Sequence, residues 1–226
     1  MKQWLKQRVM FPLLQNIARY LYRVEVCGWE NLPKTAPVVF VSNHASHFDT
    51  PLLVSLLTQW AKLQGVELYV VGARDYWGIK GRIRAFMCEC FHVLLIERSN
   101  ARGYQLGKDL TLINTVLHQG HALIMYPEGG RQSDPLRGMP FKDGVSVIVR
   151  KAELVPLQVV PIFIFGTHLV WSKKSRLFSL SMLFRARIQV RLGQAIDSHL
   201  YGTQEALTKA LEQAVDALRQ EYQRRA

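Results

Sequence analysis

Residues 37–73 read PVVFVSNHASHFDTPLLVSLLTQWAKLQGVELYVVGA, and their pattern decides the fold. "PVVFVS" (37–42) is an apolar, β-branched run of strand length, and "ELYVVGA" (67–73) is a second one. Between them, "TPLLVSLLTQWAKL" (50–63) carries its apolar residues at helical spacing. The stretch therefore predicts strand, helix, strand. Strands alternating with helices of ten or more residues form an α/β fold with a largely parallel sheet.

The alternation continues on both sides. "VEVCGW" (24–29) predicts an earlier strand. After residue 73 come a helix over 76–90, the strand "VLLIER" (93–98), a helix over 101–118, and the strand "HALIMYPEG" (121–129), which runs into a glycine-rich loop. A short helix over 143–152, a strand over 158–165, the strand "ARIQVRLG" (186–193) and a helix over about 203–222 complete the chain. The expected architecture is α/β: a largely parallel mixed sheet flanked by helices, forming a single domain over 24–226. Residues 1–23 are basic and amphipathic, and predict a helix that lies on a membrane or on its own domain.

A chain of 226 residues with 49% apolar content is long enough to bury one large core. No fixed-period repeat, low-complexity tract or flexible linker divides it. The formal net charge of +12 calls for an anionic partner: nucleic acid, anionic lipid or a phosphorylated substrate. Residues 154–196 contain no acidic side chain, yet Lys173, Lys174, Arg176, Arg185, Arg187 and Arg191 fall there among bulky apolar residues. That mixture suits a surface dipping into an anionic membrane. Residues 154–172 are uncharged for about the length of a membrane span, but Pro156, Pro161 and Gly166 interrupt them. A buried strand fits better. Nucleic acid is disfavoured, because zinc-finger spacing, an RNA-recognition signature and a basic recognition helix are all missing. The odd set Cys27, Cys88 and Cys90 suggests reduced thiols acting as small buried hydrophobes.

Three polar clusters directly follow strands: "SNHASHFD" (42–49), "ERSN" (97–100) and "YPEGGRQSD" (126–134). In parallel sheets, sites assemble in loops beyond the strand C-termini. The first cluster admits three readings. His44, His47 and Asp49 could ligate a metal in a metal-dependent hydrolase, although further ligands would be needed elsewhere. Asp49, standing before Thr50-Pro51 and an apolar run, is placed to cap a helix. His44 could meet the Asp49 carboxylate through one ring nitrogen and accept a proton on the other. In the third cluster, Gly129 and Gly130 allow close backbone approach and Arg131 can grip phosphate oxygens. Glu128 could hold Arg131 or bind an acceptor hydroxyl.

A strand-end H-x4-D followed about eighty residues later by a strand-end E-G-x-R resembles the glycerolipid acyltransferase superfamily, whose best-known members are the 1-acylglycerol-3-phosphate (lysophosphatidic acid) acyltransferases. "NHASHFD" matches its N-H-x4-D block, and "YPEGGRQS" looks like its F-P-E-G-T-R-S block. "FKDG" (141–144), "VLLIERS" (93–99) and "VVPIFI" (159–164) are similar to the remaining blocks. Gly130 stands where threonine is usual, and Glu97 where Asp or Asn is common.

The resemblance implies the glycerol-3-phosphate acyltransferase-like fold and a set of roles. His44 would be the general base, oriented by Asp49. Arg98, Glu128, Gly129, Arg131 and Lys142 would hold the glycerol-phosphate end of a lysophospholipid acceptor, and His47 would have only local contacts. The co-substrate would be an acyl thioester, acyl-CoA or acyl carrier protein, with no bound cofactor or metal. The enzyme would sit peripherally on an anionic membrane surface, at the cytoplasmic face of the inner membrane.

Overall fold

The computed structural model describes residues 23–77, 82–97, 103–171 and 186–225. The amphipathic stretch over 1–22, Arg98 and the basic segment 173–185 lie outside these residues. The strands are β1 (Arg23–Cys27), β2 (Val38–Ser42), β3 (Leu68–Ala73), β4 (Val93–Ile96), β5 (Ala122–Met125), β6 (Gln158–Phe165), β7 (Arg187–Leu192) and β8 (Ile196–Asp197). The helices are α1 (Asp49–Gln64), α2 (Arg74–Trp77), α3 (Arg82–Cys90), α4 (Gly103–His118), α5 (Gly144–Lys151), α6 (Thr167–Val170) and α7 (Gln204–Arg225).

The sheet runs β1-β7-β6-β2-β5-β3-β4, with β8 added to β6. β6, β2, β5, β3 and β4 are mutually parallel, joined by helical crossovers. β7 pairs antiparallel with β6, and β1 pairs parallel with β7, so the far edge is reversed. The sheet is thus mixed and largely parallel, as the sequence pattern predicts.

β2 lies at the centre and all five of its residues are buried. Successive side chains on a strand face opposite ways, so its pattern splits the core into two layers. Val38 and Phe40 join Leu52, Leu53 and Leu57 of α1, while Val39 and Val41 join Ile113 and Leu117 of α4 and Leu207 and Leu211 of α7. A strand covered on both faces has no need of polar alternation, which explains its unbroken apolar run. Cys90 is buried, whereas Cys27 and Cys88 are only half-buried.

Of the helix expected over 76–90, the described residues give α2 and α3, and residues 78–81 between them lie outside the described residues. The short elements α6 and β8 carry no sequence signal. Parallel strands place their C-termini on one edge, and the loops after β2, β3, β5 and β6 gather there.

Candidate active site

The loop after β2 is anchored first. Asn43 is buried; its Nδ2 donates to the Ile164 carbonyl (2.9 Å) and its Oδ1 accepts the Ile164 N–H (2.7 Å), tying the end of β2 to β6. His44 follows, and its Nδ1 lies 2.8 Å from Asp49 Oδ2. The same oxygen accepts the N–H groups of Ala45 and Ser46, each at 2.8 Å. Asp49 is fully buried, while the His44 side chain keeps 16% exposure. A carboxylate oxygen only accepts, so the contact assigns the proton to Nδ1 and leaves the Nε2 lone pair open. Among the described residues Nε2 has no hydrogen-bond partner.

Asp49 is not the helix cap that the D-T-P sequence suggests. α1 begins at Asp49 itself, and the position before it is Phe48, with no side-chain cap. The carboxylate turns back to the loop because two neighbouring N–H groups and an imidazole converge on one oxygen. Its charge still lies at the positive end of α1, where it is favoured. Ser46 Oγ accepts the Phe48 N–H (3.0 Å) and donates to the Trp171 carbonyl (2.8 Å).

The loop after β5 closes over His44. The Tyr126 ring stacks on the imidazole with centroids 4.1 Å apart and planes at 19°, and its hydroxyl meets Thr50 Oγ1 at 3.0 Å. Glu128 is buried, with Oε2 accepting the His44 N–H (3.1 Å) and Oε1 accepting Gln132 Nε2 (2.9 Å). The Gln132 N–H in turn donates to the His44 carbonyl (2.8 Å). His44 is thus held through its backbone by one loop and through its ring by its own. Burial pushes the Glu128 carboxyl up to about 8 despite the His44 N–H. Glu128 does not hold Arg131, one of the two roles expected for it; it joins the two loops.

Gly129 adopts φ +67°, and a Cβ there would stand 2.9 Å from Lys142 Cδ. The missing side chain lets the Lys142 stem lie across the turn, bringing its ammonium to the loop. Nothing lies within 4 Å of a Cβ on Gly130, so the position where threonine is usual is open space.

Arg131 is held by His47 and Tyr76. Its Nη1 donates to His47 Nδ1 (3.0 Å), its guanidinium carbon lies 4.6 Å from the Tyr76 ring centroid, and the Tyr76 hydroxyl is 2.9 Å from the same Nδ1. The His47 ring also packs on Trp171, centroids 5.0 Å apart. His47 therefore reaches well beyond the local contacts that the resemblance implies for it, which corrects that expectation. The arrangement also disfavours the metal-hydrolase reading. His47 Nδ1 faces a guanidinium rather than a cation site, and no three His, Cys, Asp or Glu side chains among the described residues are grouped to hold a metal.

The residue before Arg98 is fixed. Arg74 Nε pairs with Glu97 Oε1 (2.8 Å) and Arg74 Nη2 with Asp109 Oδ1 (2.7 Å), while Asp109 Oδ2 accepts the Glu97 N–H (2.8 Å). Sequence reasoning misses Asn43, Tyr76, Tyr126 and Gln132 as site residues. Three of these lie in or beside the two motifs and could be found there; Tyr76 has no local signal.

The Acyltransferase family model matches residues 23–165. The 1-acyl-sn-glycerol-3-phosphate acyltransferase of Limnanthes alba is 30% identical over 164 residues, covering 71% of this chain and 52% of that protein. The 1-acyl-sn-glycerol-3-phosphate acyltransferase alpha of Mus musculus is 30% identical over 183 residues, covering 80% and 58%. The chain spans about half the length of the curated relatives it matches. The crystal structure of the 1-acyl-sn-glycerophosphate (LPA) acyltransferase PlsC from Thermotoga maritima shares the fold, with TM-score 0.71 and 19% identity over 99% of this chain and 83% of that one. By this match and the motifs it contains, the chain belongs to the Acyltransferase family.

Proposed function

We propose that this protein moves a fatty acyl group from an acyl thioester to the free hydroxyl of 1-acylglycerol 3-phosphate, giving phosphatidic acid. The observation that carries the reading is the His44–Asp49 pair, with Nδ1 bound to a buried carboxylate and Nε2 open. In this mechanism Nε2 takes the proton of the acceptor hydroxyl as its oxygen attacks the thioester carbonyl. The tetrahedral intermediate expels the thiolate, which takes the proton back from the imidazolium. Asp49 stabilises that imidazolium and fixes the ring's orientation. A positioned base of this kind contributes about 10²- to 10⁴-fold. The thioester is already activated, so no covalent enzyme intermediate is required.

Arg131, Lys142 and Arg98 hold the phosphate of the acceptor, and Gly129 leaves the room in which the Lys142 stem crosses the turn. Glu128 contributes by locking the loop that carries Arg131 to the backbone of His44. Orientation of this sort removes several kcal/mol of barrier. The acceptor class is supported by the names of the relatives from Limnanthes alba and Mus musculus. No helix among the described residues is long and apolar enough to cross a membrane. With an acceptor that resides in lipid, the basic segment 173–185 and the amphipathic residues 1–23 serve as peripheral contacts to an anionic surface, whereas Arg191, counted in that basic set from the sequence, is buried and paired with Glu221. That surface is the cytoplasmic face of the inner membrane.

Acyl-transfer profiling of the purified protein tests this. Lysophosphatidic acid, glycerol 3-phosphate and other lysolipids are offered with acyl-CoA and with acyl carrier protein donors. Lysophosphatidic acid is expected to give the highest kcat/KM. Preference for glycerol 3-phosphate or an uncharged acceptor contradicts the proposal.

A further inference from the structure

We propose that His47 and Tyr76 form a bracket that aims the Arg131 guanidinium at the acceptor's phosphate, which makes His47 a positioning residue. The inference rests on the acceptor reading above. Arg131 comes from the loop after β5, His47 from the loop after β2, Tyr76 from α2 after β3, and Trp171 from the turn after β6. Three of these segments thus meet at one guanidinium, and the fourth packs on His47 behind it. Nη1 is taken by His47 Nδ1 at 3.0 Å, and one face of the group lies over the Tyr76 ring at 4.6 Å. Arg131 Nε is buried and has no partner among the described residues, and no carboxylate there pairs with Arg131.

This way of holding an arginine has a consequence. A carboxylate partner fixes a guanidinium but neutralises it, leaving a weak anion site. An imidazole nitrogen acting as acceptor, with an aromatic face beneath, fixes the plane and leaves the full positive charge and the remaining donors for a ligand. Arg131 Nη1 only donates, so Nδ1 of His47 is the acceptor and its proton resides on Nε2. The Trp171 ring packs against the imidazole at 5.0 Å and limits its rotation. His47 is therefore coupled to acceptor binding, whereas His44, three residues earlier, is coupled to the chemical step.

The test is initial-rate kinetics on the full chain. It measures KM and kcat for lysophosphatidic acid and the competitive Ki of glycerol 3-phosphate, with glycerol as uncharged control. The variants are Arg131→Ala, His47→Leu, His47→Asn and the double variant H47L/R131A. His47→Phe, which keeps a ring against Trp171 but has no acceptor nitrogen, is a second acceptor-free variant should H47L fail to fold. H47L and R131A are each expected to raise KM and Ki about tenfold, with kcat changed less than about threefold. The double variant is expected to be no weaker than R131A within about twofold, because both changes remove one device. His47→Asn, whose Oδ1 can stand where Nδ1 does, is expected to restore most of the loss. A general structural role would lower kcat and stability without this split or this rescue. Normal KM and Ki in H47L or H47F, or additive losses in the double variant, overturn the bracket while leaving the acceptor reading intact. Normal KM and Ki in R131A overturn the phosphate reading and the bracket with it.

Discussion

Replacing Asp49 with asparagine separates the two jobs of this residue. In the wild type, Oδ2 gathers three donors at 2.8 Å: His44 Nδ1 and the N–H groups of Ala45 and Ser46. Oδ1 is buried and has no hydrogen-bond partner among the described residues. Asparagine can leave its oxygen in the Oδ2 position, so the loop and the Nδ1–H tautomer survive. Its amide NH2 then occupies the unpartnered side, at a cost of about 1–3 kcal/mol in stability. What disappears is the charge that, in the proposed mechanism, faces the imidazolium formed during proton transfer. Two unit charges about 4 Å apart interact by about 4 kcal/mol at an effective dielectric constant near 20. With the proton between half and fully transferred in the transition state, the barrier rises by about 2–4 kcal/mol, a loss of about 30- to 1,000-fold in kcat. Asp49→Ala instead strands all three donors, so its stability falls further, by about 3 kcal/mol or more. Thiol release from the acyl thioester gives kcat, and guanidinium denaturation gives stability. A folded Asp49→Asn enzyme with kcat within about threefold of wild type would refute the role of the carboxylate charge.

Two further perturbations probe the loop after β5. Burial raises the Glu128 carboxyl from about 4.5 to about 8, so the folded state holds a proton there that the unfolded state releases. Its contribution is present below the unfolded value and is lost as pH rises through about 8. Relative to Glu128→Gln, wild-type stability therefore falls by about 1.4 kcal/mol per pH unit between pH 5 and 8. Denaturation curves of both proteins at pH 5, 6.5 and 8 measure this, and a constant difference across them contradicts it. At the turn, Gly129→Ala must place a Cβ 2.9 Å from Lys142 Cδ at φ +67°, so activity falls at least about tenfold. Gly130→Thr faces open space and keeps activity within about threefold; equal losses in the two variants count against the turn geometry.

The strands at the centre of the sheet are legible because burial on both faces leaves an unmistakable apolar run. Residues 38–42 and 122–125 are of this kind, and all are buried. The reversal of β7 against β6 is not legible, since the alternating "RIQVRL" suits either direction. His44 and Asp49 are readable as a pair because five residues bring them together within one loop. Asp49 is misread as a cap because capping signals are local, whereas its real partners depend on how residues 44–46 fold back. His47 is underrated for the opposite reason. Its partners Tyr76 and Arg131 stand 29 and 84 residues away, and nothing in H-x4-D marks its third interior position. The inward turn of Glu128 likewise depends on the long-range approach of the His44 N–H.

The most direct test is acyl transfer from a thioester to lysophosphatidic acid by His44→Ala, measured beside the wild type with circular dichroism as the control for folding. A folded variant with a rate reduced by about 10²- to 10⁴-fold is expected, because the imidazole at the open end of the Asp49 pair is lost. Turnover by folded His44→Ala close to that of the wild type contradicts the mechanism.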